Sequence, residues 1–268
     1  MKKITQVIFL IAIFLSAAVG IFALVRLFDI YSEYEKGNNT YEVLEDFVKK
    51  TDHGEETEDK PQSDTDAVRV SSQELIVDFE SLRAINPDVA AWIEIPALNI
   101  SYPVVQGTDN SYYLHHLFSG ESNINGSIFV DFHNQPDFSN ENTIVYGHNM
   151  KNGSMFGTLS NYQNPDVYTE YPCFYIYIPG YCLEYQVFSC YAAKAGSIGY
   201  TYAFPGIEEY QVFLDTVSSY AGYSTGVEMA VTDKIVTLST CVNSDRDYRF
   251  LVHGKLIKKS AVQEEKKE

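Results

Sequence analysis

From Ala91 to Ile257 the chain is a succession of short apolar runs rich in Val, Ile, Thr and Tyr, each closed by Gly, Pro or Asn. That pattern reads as strands over Trp92 to Ile95, Ile100 to Val105, Ser127 to Asp131, Asn142 to Tyr146, Cys173 to Ile178, Leu183 to Ala193, Lys234 to Thr240 and Tyr248 to Ile257. Between them the spacing predicts only two helical interruptions, a short one at Asn110 to Leu117 and a longer one at Ile207 to Tyr220. Many short strands without regular strand–helix alternation predict a mainly β domain, a closed or nearly closed β-barrel with helices before it and one helix inserted.

What precedes this region is of a different kind. Lys2 and Lys3 are followed by an apolar run, residues 4–25, which as a helix at ~1.5 Å per residue spans the roughly 30 Å hydrocarbon layer. Ser16-Ala17-Ala18 offers a possible signal-peptidase cut, but the run continues through Ile21, Phe22, Leu24 and Val25, longer than an ordinary signal core. The reading is therefore an uncleaved single-pass anchor, with the cationic end cytoplasmic and the bulk of the chain outside the cell membrane. A helical pattern follows from Phe28 to about Lys50, with a break expected at Gly37-Asn38-Asn39. From Thr51 to Val70 apolar residues nearly vanish, so that stretch is expected to be a flexible acidic tether with a span on the order of 25 Å. Ser71, three residues before Glu74, has the spacing of a capping box, opening a helix to about Ile85. The domain reading is thus residues 1–27 stub and anchor, 28–70 helical then acidic connector, 71–258 the mainly β domain, and 259–268 charged tail.

Composition settles two questions. A formal charge of −17 over 268 residues, with no Lys/Arg cluster, argues against a nucleic-acid partner. The four cysteines do not pair on spacing: a hairpin centred on Pro179-Gly180 sets Cys173 opposite a residue near Gln186, out of register with Cys182. Cys182 and Cys190 on one strand are about 26 Å apart at ~3.3 Å per residue, beyond a disulfide's reach. No structural disulfide is expected, and three of the thiols read as small apolar side chains.

Three segments carry chemistry. Lys234 to Cys241 is a buried-type strand that delivers a cysteine at its C-terminal end, as the chain turns polar; taken alone, such a cysteine is more often a packing residue. Thr143 to His148 is a strand ending in Gly147 and a histidine, distinguished by that framing from His53, His115, His116, His133 and His253. Tyr248 to Leu256 is a strand that would pair antiparallel with the one bearing Cys241, bringing Arg249 to the edge where Cys241 leaves; its alternative is a surface ion pair with a neighbouring Asp. A thiol that must lose a proton, an imidazole that exchanges it and a fixed cation for a developing oxyanion form a chemical set.

The segments Tyr146-Gly147-His148-Asn149, Thr237-Leu238-Ser239-Thr240-Cys241 and Arg249-Phe250-Leu251-Val252-His253, in the order His, Cys, Arg, resemble the sortases over about Ser71 to Ile257. The stretch from Leu82 through Asn86-Pro87, Trp92 and Pro96, the following Pro103 to Gly107, and a long helix-containing segment between Cys190 and Lys234 are similar to class B of that family; the loop from Cys241 to Arg249 is short. The resemblance implies a cysteine transpeptidase with Cys241 as nucleophile, His148 as proton-transfer partner and Arg249 as oxyanion ligand, and with Asn110, Leu114, Tyr146 and Ser239 lining the substrate groove. It implies partners too: exported surface proteins cut after Thr in a C-terminal sorting signal, and an amine of the cell-wall precursor. No metal-ligand spacing is present and no cofactor is expected. Two rivals remain, a papain-like protease, whose Cys precedes His and opens a helix, and an anchored ligand-binding β-domain without catalysis.

Overall fold

In the structure, a computed structural model, residues 2–50, 75–242 and 245–262 are described. The first element, α1, is a single helix over Lys2–Leu44. It does not break at Gly37-Asn38-Asn39. Gly37 is there for close approach and not for a turn: a Cβ at that position would lie 2.0 Å from Asn125 Nδ2. Tyr34, Gly37, Tyr41 and Leu44 recur at helical spacing on one side of α1, and Tyr41 and Leu44 are buried against the domain. The Tyr41 hydroxyl donates to Gly126 O at 2.6 Å and lies 3.0 Å from Ser127 Oγ, while Asn123 Nδ2 donates to Glu33 O at 3.0 Å. Tertiary packing here overrides the weak helix propensity of Gly and Asn.

After α1, β1 (Val48–Lys50) pairs antiparallel with β2 (Leu75–Val77), so the two ends of the acidic stretch meet in one small sheet. The stretch itself, with Ser71 to Glu74 and the expected capping box, lies outside the described residues. The helix expected from there starts later, as α2 (Phe79–Ile85). Its cap is Asp78, whose Oδ1 accepts from Ser81 N at 3.0 Å, and the preceding Leu75 is spent on a strand with a buried side chain instead of a helical turn.

Eight strands then close a barrel: β3 (Val89–Ile95), β4 (Ile100–Val105), β5 (Ile128–Val130), β6 (Asn142–Tyr146), β7 (Cys173–Ile178), β8 (Tyr181–Lys194), β9 (Ile235–Val242) and β10 (Asp245–Ala261). The order around the barrel is β10-β8-β7-β3-β4-β5-β6-β9. Closure leaves none of these strands with a free edge. Neighbours run antiparallel except β4 with β5 and β6 with β9, which are parallel. Parallel neighbours require long crossovers. The β6-to-β9 crossover carries the turns, hairpin and helices that build one side of the site. The hairpin register sets Cys173 opposite Gln186 and Cys182 opposite Tyr177, and none of the four cysteines is in a disulfide.

The core is aromatic and β-branched, with Trp92, Phe129, Phe156, Phe174, Tyr185 and Phe250 fully buried. The inserted helix α4 (Ile207–Ser219) packs its Tyr210, Phe213, Leu214 and Val217 stripe on Phe188 and Ile235 as a second small core. At about 1.5–3 kcal/mol for each fully buried side chain, that stripe accounts for the helix's attachment. The helix expected over Asn110 to Leu117 is only one tight turn at Tyr112–Leu114, held by Asp109, whose Oδ1 accepts from Ser111 N and Tyr112 N. A further short helix, α3 (Pro165–Glu170), is absent from the sequence expectation although Asn164-Pro165 supplies both its cap and its first residue.

Candidate active site

Parallel pairing of β6 with β9 and antiparallel pairing of β9 with β10 puts β9 in the middle of three strands. Arg249 on β10 stands directly opposite Cys241 on β9. Opposed residues on antiparallel strands share a face, with Cβ atoms about 4.5–5.5 Å apart. On the other flank Tyr146, the last residue of β6, is opposite Ser239; two residues further along the chain from each stand His148, in the turn after β6, and Cys241, still on β9. The turn carrying His148 is laced to β9 beyond the last ladder pair. Gly147 N donates to Ser239 O at 3.1 Å, Thr240 Oγ1 donates to Gly147 O at 2.8 Å, and Asn149 Nδ2 donates to Cys241 O at 2.6 Å. The three residues expected to act together are thereby brought to one rim, with Cys241 between the other two.

Gly147 allows this approach, because a Cβ there would meet the Phe156 ring at 2.6 Å. His148 is half-buried, and its Nε2 lies 2.6 Å from Leu114 O. A carbonyl oxygen only accepts, so Nε2 carries the hydrogen and Nδ1 is left as the nitrogen that exchanges a proton. Burial holds the imidazole below the ordinary histidine range, the Leu114 carbonyl opposes that shift, and nearby His115 adds to it. Behind the ring, Gly126 has φ +55°, and a Cβ on it would come within 2.7 Å of Leu114 O and 3.0 Å of His148 Cδ2. The loop on which α1 docks is therefore also the wall against which His148 rests.

Arg249 and Cys241 are both partly exposed, and Arg249 Nη1 donates to Tyr248 O at 3.0 Å. Tyr200, which the sequence did not single out, joins them. Its hydroxyl lies 2.7 Å from Ser239 Oγ and its ring stacks on Tyr146 with centroids 6.2 Å apart. Burial pushes its hydroxyl up to about 12, the Ser239 hydrogen bond and the Arg249 charge pull it down, and Cys241 raises it, so it shares one electrostatic environment with both.

The expected groove residues fall in the same region. Asn110 Nδ2 and the Tyr146 hydroxyl both donate to Asp131 Oδ2 at 2.8 Å. Ser239 meets Tyr200, and Leu114 contributes its carbonyl to His148. Sequence reasoning passed over Tyr200 and Asp131; neither sits in a motif, and both gain their place only through the crossovers. Of the other described histidines, His115 lies near His148, His116 stacks on Tyr112, His133 pairs with Asp131, and His253 is buried between Thr237 and Tyr191. His53 lies outside the described residues. Among the described residues there is no cluster of ligating side chains that could hold a metal ion.

A strand-borne cysteine flanked by a histidine turn and a strand arginine, on an eight-stranded barrel, defines a cysteine transpeptidase of the sortase type. Comparison with known proteins agrees: the sortase domain model matches residues 93–257, and the chain belongs to the sortase family. Within it, the likeness is to class B. Sortase B of Listeria monocytogenes is 36% identical over 186 residues, covering 68% of this chain and 75% of that protein. Sortase B of Staphylococcus aureus is 35% identical over 184 residues, with the same coverage of both chains, 68% and 75%. Among solved structures, a Staphylococcus aureus sortase B–substrate complex is similar with a TM-score of 0.63 at 36% identity, covering 67% of this chain and 84% of that one. Sortase B from Bacillus anthracis in complex with AAEK1 is similar over 85% of this chain and 100% of its own, with a TM-score of 0.70 at 29% identity. The papain-like alternative has no support: Cys241 lies in β9 and follows its histidine in the chain.

Proposed function

We propose that Cys241, His148 and Arg249 carry out transpeptidation on a C-terminal sorting signal, cut after Thr, and pass the new carboxyl end to an amine of the cell-wall precursor. The register that sets Cys241 between the His148 turn and Arg249 carries this reading. Cys241 gives its thiol proton to His148 Nδ1, and the thiolate attacks the Thr carbonyl carbon, forming a C–S bond. Arg249, whose guanidinium is charged at all working pH values, hydrogen-bonds the oxyanion. The C–N bond breaks as His148 Nδ1–H protonates the departing amine, leaving a thioester and a neutral imidazole. The incoming amine attacks the thioester, gives its proton to Nδ1, and the C–S bond breaks to restore the thiolate. Asn110, Leu114, Tyr146 and Ser239 line the groove for the signal peptide.

The N-terminal half of α1 is an apolar helix, a possible membrane span, with Ile4, Phe9, Phe14 and Phe22 exposed. Residues 4–25 serve in this reading as the single-pass anchor, N-terminus cytoplasmic and barrel outside. The test is a peptide-release assay on the purified protein with sorting-signal peptides, with and without an added amine. Amine-dependent ligation that Cys241→Ala abolishes, and that His148→Ala, Arg249→Ala and Arg249→Lys lower by a hundredfold or more, is the expected outcome. Release by water alone, indifferent to amine, would make it a protease. Turnover that survives Cys241→Ala would remove the nucleophile.

A further inference from the structure

Asp131 follows β5 and is a charged side chain in a buried place, 6% exposed. Four donors converge on it. Asn110 Nδ2 and the Tyr146 hydroxyl reach Oδ2, both at 2.8 Å, while His133 N at 2.9 Å and His133 Nδ1 at 2.8 Å reach Oδ1. Burial alone would raise its pKa, but these hydrogen bonds outweigh it and hold the carboxyl below the ordinary aspartate range. The backbone is pinned as well: Asp131 N donates to Ile144 O at 2.9 Å, and Asp131 O accepts from Gln106 Nε2 at 3.0 Å. A buried carboxylate is stable only when its oxygens are filled in this way.

The consequence for its two groove-side donors is specific. An Asn side chain can present either its donor or its acceptor end, and a Tyr hydroxyl can give or accept. Here Asn110 Oδ1 accepts from Phe132 N at 3.0 Å while Nδ2 gives one hydrogen to Asp131, so the amide cannot flip and one N–H remains. Tyr146 has committed its only proton to Asp131, so towards any further partner its oxygen is an acceptor. We propose that Asp131 is a positioning residue that fixes the polarity of the groove wall, making Asn110 a donor for a peptide carbonyl and Tyr146 an acceptor for a peptide or side-chain N–H. Asp131 is itself buried, its oxygens taken by these donors, so it acts through Asn110 and Tyr146. The proposal rests on the reading of Asn110 and Tyr146 as groove residues.

Asp131→Asn tests it, because the new amide has one acceptor where the carboxylate has two, and its NH2 must face a donor. The expected result for the full chain is a KM for sorting-signal peptide raised tenfold or more, kcat changed less than threefold, and an unchanged rate of Cys241 alkylation by a small neutral reagent. Asp131→Glu keeps the charge and both carboxylate acceptors and is expected to recover part of the KM. His133→Ala, which removes a donor from Oδ1 and leaves both Oδ2 donors in place, is expected to leave KM unchanged. Wild-type KM in folded Asp131→Asn and Asp131→Glu would overturn the proposal, as would losses of kcat and alkylation rate in parallel with KM, the mark of a merely structural role. Asn110→Ala and Tyr146→Phe separate the two readings. If they raise KM while the Asp131 variants do not, the groove stands and the positioning role falls. If they leave KM unchanged, the groove reading itself fails.

Discussion

His148 and Gly147 show how little freedom the rim allows. Nε2 is committed to the Leu114 carbonyl in both protonation states, so all proton traffic passes through Nδ1. Nitrogen-15 spectra of the histidine-labelled protein should show the Nε2–H tautomer of His148 at neutral pH, titrating below the ordinary value of about 6.5. An Nδ1–H tautomer would contradict the assignment. Gly147 tests the packing behind it: Gly147→Ala drives a methyl into the Phe156 ring at 2.6 Å and displaces the turn. Loss of stability by about 1–3 kcal/mol is expected, together with at least a tenfold fall in kcat, read from urea unfolding and the ligation assay. The motif around His148 was readable because a glycine after a strand and before a histidine leaves a mark in sequence. Asp131 and Tyr200 leave none, since an aspartate after a strand and a tyrosine in a loop become site residues only when β5, β6 and the crossover meet.

Strands are where sequence and structure agree most closely, and the reason is physical. Runs such as Val89–Ile95 and Ile235–Val242 are buried on both faces or nearly so, which demands continuous apolar stretches cut by turn residues. Helices were less readable. Gly37 looked like a break because propensity is local, whereas its cause, the Asn125 side chain pressed against the Cα, lies on a distant loop. That contact gives a test with an informative sign. In a solvent-exposed helix Gly→Ala stabilises by about 1 kcal/mol. Here Gly37→Ala should destabilise by about 1–3 kcal/mol, because the methyl must displace Asn125. A rise in the urea midpoint of the full chain would mean that α1 does not dock. The Leu75–Val77 strand was missed for a related reason: three residues carry too little pattern, and the partner, Val48–Lys50, lies across the acidic stretch.

The barrel as a whole carries a built-in sensitivity to acid. His253 is fully buried on β10, where its Nδ1 lies 2.9 Å from Thr237 Oγ1 and its Nε2 3.0 Å from the Tyr191 hydroxyl. Because Thr237 gives its proton to Asn142 Oδ1 at 2.8 Å, Nδ1 is the donor and the ring is neutral. Burial pushes its pKa down to about 3. An unfolded chain binds this proton near pH 6.5 and the folded one only near 3, so stability is full above about 6.5 and declines as pH falls through that window. At about 1.4 kcal/mol per unit, roughly 2 kcal/mol is lost by pH 5. His253→Gln should flatten the dependence of the urea midpoint between pH 6.5 and 4.5, a range above the one in which Asp131 titrates; an unchanged slope would clear His253 of the effect.

The unbroken run of α1 from its apolar half into its docked half has a geometric outcome. Between Val25 and Tyr41 lie about 24 Å of stiff rod at ~1.5 Å per residue. With residues 4–25 embedded as proposed, the catalytic rim is mounted on a mast of set length and bearing instead of swinging on a leash. Each residue added to or removed from that rod would turn the groove by about 100° around it, which makes the direction of substrate approach a property of helix phase.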